Sequence, residues 1–343
     1  MNAYTDLYSA WQQLQQSQPK LRAREAAQHL GISEAELLEC RRGQDSIERL
    51  VAEPAAILQA IEKLGRVMAL TRNNEVVHER KGLYSNLSFQ GPMGLALNPD
   101  IDLRLFMNHW YCAFAVSEQG RHSLQFFDRA GVAVHKIYLL EESDQQAYQA
   151  LLEQFIEPSP APLHFTPYPQ QPDLADEQIT VAALRQDWLA LQDVHDYHAM
   201  LRKHKCGRQQ ALRLVGEDLA QPLPIEAIAQ ILQRARDQQC EIMVFVGNRG
   251  CIQIHTGPVQ HLAATGPWYN VLDEAFNLHI NLSGLAQAWI VRRPSSDGPI
   301  TSIEVFNQQG ESVLTLFGKR KPGQPELLLW QSLVAELSAS LAA

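Results

Sequence analysis

Two histidines, His195 and His198, stand three residues apart in a segment whose apolar residues recur at helical spacing. Those apolar residues are Leu184, Trp188, Leu191, Val194 and Leu201. Residues three apart on a helix point from one face, so both imidazoles are predicted to meet protein or ligand. A neutral imidazole is a good ligand for a transition metal or for haem iron. A hydrogen-bonded packing role is the commoner alternative for such histidines, and the chain has neither an H-E-x-x-H sequence nor a third ligand at useful spacing.

The composition is that of a folded protein whose surface is unsuited to general nucleic-acid binding. The chain has 343 residues, which corresponds to about two domains. It carries 29 Lys and Arg against 38 Asp and Glu, a net charge of −9, whereas coating a duplex needs a clustered basic surface. The five cysteines are odd in number and form no C-x-x-C pair. Neither a disulfide framework nor a cysteine-based metal cluster is therefore expected.

The N-terminus and the hydropathy of the sequence favour a cytoplasmic protein. The opening MNAYTDLYSAWQQLQQ has neither the basic region nor the unbroken apolar region of a secretion signal. The sequence also has no run of uncharged apolar residues as long as the roughly 18 that a spanning helix needs. No membrane insertion is expected.

The second half of the sequence repeats the first. Residues 123–138 (SLQFFDRAGVAVHKIY) align with 302–317 (SIEVFNQQGESVLTLF). Two upstream pairs of segments also align, 102–116 with 277–291 and 72–82 with 247–257, and the longer RRPSSDGP connection falls where a loop is expected. We therefore predict an α+β fold made by tandem duplication, in which each half is a large antiparallel β-sheet with flanking helices.

Helical periodicity precedes the β-type runs in each half. Residues 21–39 predict a helix, a break and a second helix, and residues 207–238 predict the same plan. Aligning Arg24 with Arg208 places Trp11, rather than a histidine, opposite the first of the two histidines described above. This alignment indicates that any ligand site built on that histidine has decayed in the first half.

A proline-rich segment separates the two halves. Residues 157–174 contain six prolines, which favours an extended, semi-stiff connection. We expect an N-terminal repeat at 1–157, a linker at 158–178 and a C-terminal repeat at 179–343.

Several long stretches resemble one known family, in order along the chain. They are NPDIDLRLFMNHW in the first half, then DVHDYHAMLRKHKCGRQQALRLVGEDLA, EIMVFVGNRGCIQIHTGPV and AWIVRRPSSDGPITSIEVF in the second. These motifs are similar to those of the bacterial haemin-degrading and haem-trafficking proteins of the HemS/ChuS/PhuS type. The resemblance implies a cytoplasmic protein of two similar halves that binds one haem in a cleft involving both.

The resemblance also implies which residues lie on either side of the haem iron. His195 stands in the D-V-H motif, whose histidine is the proximal metal ligand, and Arg104 stands in D-L-R-L-F, whose arginine reaches the opposite face. Arg104 is thereby the catalytic candidate that stabilises charge on bound oxygen, with a surface ion pair as its alternative role. His198, one helical turn further on, is a candidate second haem ligand, with a supporting or surface role as the alternative. His78, in E-V-V-H, matches a histidine considered as a ligand at a second haem site.

Four further residues are implied to line the haem. Arg208 in R-Q-Q-A supplies a cation for the propionates, as does Arg293, which stands where the family often has lysine. Phe245 packs on the ring, with core packing as its alternative role. Phe317 stands where the family has tyrosine, so no phenol hydrogen bond is expected there. A haem site needs these components, namely aromatic walls, an arginine edge and one histidine.

The leading hypothesis is a protein of haem iron acquisition that opens the porphyrin ring with dioxygen, so that haem is both cofactor and substrate. The electrons would come from an external donor or reductase, because the sequence shows no dinucleotide or flavin motif. The alternative is a carrier that delivers haem intact to a separate haem oxygenase, and an inner-membrane haem importer is a further candidate partner. A duplicated binding module for another apolar anion is the third hypothesis.

Overall fold

The computed structural model describes residues 3–169, 173–193, 196–321 and 323–342. These residues form two compact units. Unit 1 contains the described residues up to Arg72, together with Glu79–Pro169 and Asn248–Gln253. Unit 2 contains Asn73–His78, the described residues from 173 to 247, and those from 254 to 342.

The elements of the first half of the chain are helices α1 to α5 and strands β1 to β9. The helices are α1 (Ala3–Ser17), α2 (Ala23–His29), α3 (Glu34–Arg41), α4 (Pro54–Ile61) and α5 (Gln145–Phe155). The strands are β1 (Ile47–Leu50), β2 (Arg66–Arg72), β3 (Val76–Leu83), β4 (Leu87–Gln90), β5 (Met93–Leu97), β6 (Asp102–Phe106), β7 (Cys112–Glu118), β8 (Arg121–Phe127) and β9 (Ala133–Leu139).

The second half has the corresponding series. The helices are α6 (Val181–Leu189), α7 (Asp196–His204), α8 (Arg208–Leu214), α9 (Ala227–Asp237) and α10 (Leu328–Ala342). The strands are β10 (Ala220–Leu223), β11 (Ile242–Gly247), β12 (Cys251–Gly257), β13 (Leu262–Thr265), β14 (Trp268–Leu272), β15 (Phe276–Asn281), β16 (Leu285–Arg293), β17 (Ile300–Asn307) and β18 (Ser312–Gly318).

Each unit contains the same antiparallel strand arrangement. In unit 1 five strands follow the order β1-β7-β8-β9-β2, and β4, β5 and β6 form a further series. In unit 2 the orders are β10-β16-β17-β18-β11 and β13-β14-β15. The registers also agree, since Ser123 lies opposite Tyr138 in unit 1 and Ser302 opposite Phe317 in unit 2. The predicted duplication and α+β fold class are confirmed.

The five-stranded series of unit 2 is covered on both faces, which explains its nearly continuous apolar sequences. Ala288 and Ile290 of β16 join a core completed by α9 and α10. Trp289 and Val291, which point to the opposite face, join a second core completed by α6, α7 and α8. Alternation along the strands therefore divides their side chains between two helical layers.

The apolar pattern predicted one helix across residues 184–201, but the helix is interrupted there. Helix α6 ends at Leu189, and the described residues 190–193 are not helical. Two hydrogen bonds fix this departure: the indole Nε1 of Trp188 donates to the Arg292 carbonyl at 2.9 Å, and Ser296 N donates to the Gln192 carbonyl at 2.9 Å. Residues 194 and 195 lie outside the described residues, so the predicted ligand His195 has no structural account.

The predicted pairing of 21–39 with 207–238 is wrong. Residues 207–238 include α8, β10 and α9, whose counterparts in the first half are α3, β1 and α4. The alignment missed this because β1 and β10 have only four residues each. Of the proline-rich segment, the described residues 158–169 and 173–175 form neither helix nor strand. The domain boundaries stay predictions.

The caps of α3 and α8 establish which residues correspond. In each helix the backbone N–H of the N-cap residue, Ser33 or Gly207, donates to the side chain of the third helical residue. The first helical residues, Glu34 and Arg208, therefore occupy equivalent positions. Arg24 lies in α2, the helix that precedes α3 as α7 precedes α8. The predicted placement of Trp11 opposite His195 is wrong, because that tryptophan lies in α1.

Candidate functional site

An aromatic and cationic surface lies on one face of the five-stranded series of unit 2. The rings of Phe245 and Phe317 meet edge to face with centroids 5.1 Å apart, and both side chains are half-buried. They share the sheet face of Ser302 and Glu304, because Phe317 lies opposite Ser302 and Thr315 lies opposite both Phe245 and Glu304. Directly opposed side chains of a sheet are close neighbours. The aromatic pair therefore adjoins a buried carboxylate.

Glu304 binds two arginines. Its carboxylate is fully buried, and it accepts a hydrogen bond from Nε of Arg208 at 2.7 Å and another from Nη2 of Arg293. Arg293 also donates to the Ser302 hydroxyl at 3.0 Å. Arg208 starts α8, whereas Arg293 ends β16, so this cluster joins the helical layer to the sheet.

The cluster has a net positive charge. Burial alone would raise the pKa of Glu304, but the charges of Arg208 and Arg293 outweigh it and hold that pKa at about 2. Burial would lower the pKa of the Arg208 guanidinium, but Glu304 raises it. Two cations and one anion leave one positive charge. Arg208 presents this charge to solvent, because its side chain is 23% exposed whereas that of Arg293 is 4% exposed.

Tyr197 supports both guanidinium groups. Its ring centroid lies 4.5 Å from Cζ of Arg293 and 5.4 Å from Cζ of Arg208, within the range of cation–π contact. Trp188 of α6 packs on the same ring edge to face, at 5.1 Å. Burial raises the pKa of the Tyr197 phenol, and the charge of Glu304 raises it further. The phenol is therefore neutral.

His198 lies on α7 beside this cluster. Its ring centroid is 6.1 Å from that of Tyr197, and its side chain is exposed. Partial desolvation lowers the pKa of His198, and the positive charges of Arg208 and Arg293 lower it further. The imidazole is therefore neutral at neutral pH, which is the state that can ligate a metal.

Arg104 belongs to unit 1, where it lies on the outer face of β6. Its neighbour across the strand pair is Leu95 of β5. Arg104 forms an ion pair with Asp102, and its side chain is 33% exposed. Burial raises the pKa of Asp102, although Arg104 opposes this shift. The sequence-predicted residues thus divide into one in unit 1 and a group in unit 2, the latter comprising His198, Arg208, Phe245, Arg293 and Phe317.

His78 lies in the part of β3 that belongs to unit 2, and it is fully buried. Its ring centroid is 5.0 Å from that of Phe276, whose other neighbour, His255, stacks on it at 3.7 Å. The predicted role of His78 at a second haem site stays a prediction.

The equivalent face of unit 1 has the opposite arrangement of charge. Glu34, at the position corresponding to Arg208, forms ion pairs with Lys136 and Arg72 and is 7% exposed. Burial would raise the pKa of Glu34, but the two cations hold it at about 2. Leu70 and Tyr138 stand where unit 2 has its aromatic pair. An anion here takes the place of Arg208.

Sequence reasoning missed Glu304 and Tyr197. A signal for Glu304 was present, since a carboxylate between Ile303 and Val305 in an apolar strand needs buried cations as partners. Tyr197 had no comparable signal, because a tyrosine at helical spacing is an ordinary core residue.

Among the described residues no group of three or more His, Cys, Asp or Glu could hold a metal ion. As expected, the five cysteines form no disulfide.

Residues 31–155 and 205–337 both match the family model described as the haemin-degrading HemS.ChuX domain. The chain belongs to this family. The resemblance predicted from the sequence motifs is thus confirmed. The two matched regions begin near the caps of α3 and α8, which agrees with the equivalence of those helices.

Relatives within the family match nearly the whole chain. The hemin transport protein HmuS of Yersinia pestis is 42% identical over 342 residues, which is 98% of each protein. The crystal structure of apo-PhuS, a heme-binding protein from Pseudomonas aeruginosa, is 47% identical with a TM-score of 0.94 over 97% of this chain and 99% of that one. ChuS, a heme oxygenase of Escherichia coli, is 38% identical with a TM-score of 0.87 over 96% and 98%. Proteins described as a transporter, a binder and an oxygenase of haem therefore share this fold.

None of the helices in the described part of the chain is both long and apolar enough to span a bilayer.

Proposed function

We propose that this protein binds haem through unit 2 and opens its ring to release iron. One observation supports this most: Arg208 pairs with Glu304 on the sheet face that also carries the Phe245–Phe317 pair. Haem combines a wide apolar face with anionic carboxylates, so its binding site needs half-exposed aromatic rings beside a cation. The residues present fit that requirement.

His195 is the proposed iron ligand, on the family motif alone. Arg208 would pair with a propionate through the guanidinium nitrogens that Glu304 does not engage, and Tyr197 would hold Arg208 and Arg293 in place. Phe317, which has no hydroxyl, would contribute ring packing only.

Arg104 is the proposed catalytic residue. Haem, the substrate, supplies an iron at which dioxygen and external electrons react, and a fixed guanidinium nearby would donate hydrogen bonds to the developing negative charge. Arginine suits this role because it stays protonated throughout. Its pairing with Asp102 fixes the side chain but leaves a third of it exposed for such contact.

Non-catalytic haem delivery is the second candidate function, and the exposure of His198 favours it. An exposed, neutral imidazole beside the arginine cluster could accept the iron as haem leaves. Delivery would have a haem oxygenase as acceptor, whereas degradation would have a reductase or small-molecule donor as partner. A haem importer in the inner membrane and a cytoplasmic location suit both candidates.

The haem complex, incubated with ascorbate in air, distinguishes the two functions. Catalase must be present, because free peroxide bleaches haem unspecifically. We expect loss of the Soret band, a linear tetrapyrrole product and chelatable iron, and we expect Arg104→Gln to bind haem but degrade it more slowly. A stable Soret band, with haem passing intact to apomyoglobin, would instead support the carrier.

Haemin titration tests the binding site itself. We expect one haem per chain, because unit 1 places Glu34 where unit 2 has its ligand-facing arginine. His195→Ala should lose most affinity, whereas His261→Ala, a histidine whose side chain is 72% exposed, should bind normally. A residual haem spectrum in His195→Ala that disappears in the His195→Ala/His198→Ala double variant would identify His198 as the second ligand. Equal binding by His195→Ala and the wild type would refute the proposed ligation.

A further inference from the structure

Unit 1 has a surface cleft of about 330 Å³. It is lined by Pro92, Met93, Phe106, Asn108, His109 and Arg249. This volume is at the lower end of the range for small-molecule sites, which is roughly 300–1,000 Å³. One side of the cleft is apolar and the other is basic.

Two arginines, Arg249 of the cleft lining and its neighbour Arg129, contact the ring of one tyrosine. Cζ of Arg249 lies 3.9 Å from the ring centroid of Tyr168, and Cζ of Arg129 lies 4.4 Å from it. The Tyr168 hydroxyl lies 3.5 Å from Nδ1 of His109. Both arginine side chains are exposed, and neither forms an ion pair with any carboxylate in the described part of the chain.

Asp128, whose charge acts on Arg249 and His109, offsets only one of the two positive charges. Asp128 is 4% exposed, and its Oδ1 accepts backbone hydrogen bonds from Ala130 at 2.9 Å and from Val132 at 3.0 Å. Its carboxylate is therefore committed to the β8–β9 turn. Two like charges in contact with one ring repel each other, so an anion bound beside them would be stabilised.

Unit 2 shows that the fold does not need these cations. By the repeat alignment, Arg249 corresponds to Asn74, and Arg129 corresponds to Gln308. The turns are otherwise the same: Asn73 Oδ1 accepts from Val76 N at 2.9 Å, and its counterpart Asn248 Oδ1 accepts from Cys251 N at 3.0 Å. An equivalent turn thus forms without an arginine at its tip.

We propose that this cleft binds a small organic oxyanion other than haem. Its phosphate or carboxylate group pairs with Arg129 and Arg249, and its apolar body lies against Met93 and Phe106. The residues around the cleft indicate this class of ligand. Two guanidinium groups recognise a planar or tetrahedral oxyanion, and the apolar lining residues recognise a hydrocarbon or ring.

Calorimetric titration of the full chain tests the proposal, with phenyl phosphate, benzoate and inorganic phosphate as probes. We expect saturable binding of phenyl phosphate or benzoate, and weaker binding of inorganic phosphate because it has no apolar body. The double variant Arg129→Gln/Arg249→Asn introduces the residues found at the equivalent positions of unit 2, so it should fold normally. It should lower the affinity for the organic probe by at least about tenfold. Phe106→Ala should lower the affinity for the organic probe but not for inorganic phosphate.

His109 provides a readout that a structural role for the arginines would not move. Burial lowers the pKa of this histidine, and the charges of Arg249 and Arg129 lower it further, although the charge of Asp128 opposes them. In an NMR titration, bound phenyl phosphate should raise the pKa of His109 by offsetting the arginine charges. In the double variant the pKa should start higher and should not respond to the probe.

Three results would overturn the proposal. The first is no saturable binding of any of the three probes at millimolar concentration. The second is equal affinity of the wild type and the double variant. The third is parallel loss of haem and phenyl phosphate binding in the double variant, which would assign the arginines to the haem site. Unchanged haem affinity with lost phenyl phosphate binding is the expected result, and it holds whether or not haem is degraded.

Discussion

Arg208→Met removes the cation that the proposed site offers to a haem propionate. Glu304 would keep Arg293 as its partner, so the charge of the cluster would fall from +1 to zero while the buried carboxylate stayed paired. Because the Arg208 side chain is 23% exposed, the strength of its pairing should lie between that of a surface ion pair and that of a buried one. A hydrogen bond to a charged group in such a setting contributes about 1.5–3 kcal/mol, which corresponds to roughly a 10- to 150-fold loss of affinity.

The assay is a double-mutant cycle in which the ligand supplies the second change. Haemin and its dimethyl ester, which has no carboxylates, are each titrated into the wild type and Arg208→Met, and the Soret band is followed. Haemin should lose the affinity calculated above, whereas the ester should bind both proteins alike. Any general loosening of unit 2 affects both ligands equally and cancels in the cycle.

Arg213→Met is the matched control. Arg213 lies on the same helix, is 44% exposed and pairs with Asp176, outside the arginine cluster. The Arg213→Met variant should bind both haemin and its ester with unchanged affinity. Equal losses for haemin and its ester in Arg208→Met would show that Arg208 supports the fold rather than the propionate, and the proposed orientation of haem would have to be abandoned.

Further predictions concern pH and charge. Because the pKa of Glu304 is held at about 2, below the ordinary 4.5, its contribution of about 3 kcal/mol should be complete above pH 4.5 and lost as the pH falls toward 2. In urea denaturation, Glu304→Gln should lose this part of the dependence and keep the part due to Glu34, whose pKa is also held at about 2. Burial raises the pKa of Glu326 to about 7, although the N–H of Thr301 opposes this shift. The stability that Glu326 contributes should therefore be complete below pH 4.5, and the free energy of unfolding should fall by about 3 kcal/mol as the pH rises through 7. Glu326→Gln should flatten that part of the curve of unfolding free energy against pH. The triple variant Arg208→Glu/Glu304→Gln/Thr315→Lys copies the residues of unit 1, so by circular dichroism it should fold, while its haem affinity should fall at least about tenfold; retention of full haem affinity would contradict the role given to the cluster.

The duplication could be predicted because its strongest signals are local. The hairpin turns at Gly131 and Gly310 have φ of 75° and 77°, a conformation that favours glycine, and apolar runs flank both turns. Such features recur at a fixed offset whatever the tertiary structure. The correspondence of the helices could not be predicted in the same way, because it depends on the short strands β1 and β10, whose pairing with β7 and β16 is a long-range contact.

The same difference between local signals and long-range contacts decides which residues of the candidate site could be predicted. Motifs located Arg208, Phe245 and Phe317, since each stands in a recognisable stretch of sequence. The partner that orients the first of these, Glu304, lies 96 residues away, and only the register of the sheet brings it beneath the helix. The end of α6 at Leu189 was missed for a related reason, because tertiary hydrogen bonds rather than glycine or proline interrupt the helical pattern there.

The two repeats solve one packing problem with opposite charges. In each, the first residue of a capped helix forms a buried ion pair with the sheet, through Glu34 and Lys136 in unit 1 and through Arg208 and Glu304 in unit 2. Burying such a pair costs desolvation that its attraction only partly offsets, so its value to folding lies in fixing where the helix contacts the sheet. Either polarity serves that purpose, and folding therefore does not explain why unit 2 places the cation on the helix. A ligand with carboxylates does explain it, because this polarity puts the partly exposed Arg208 on the helix, paired with Glu304 on the sheet face that carries the aromatic pair.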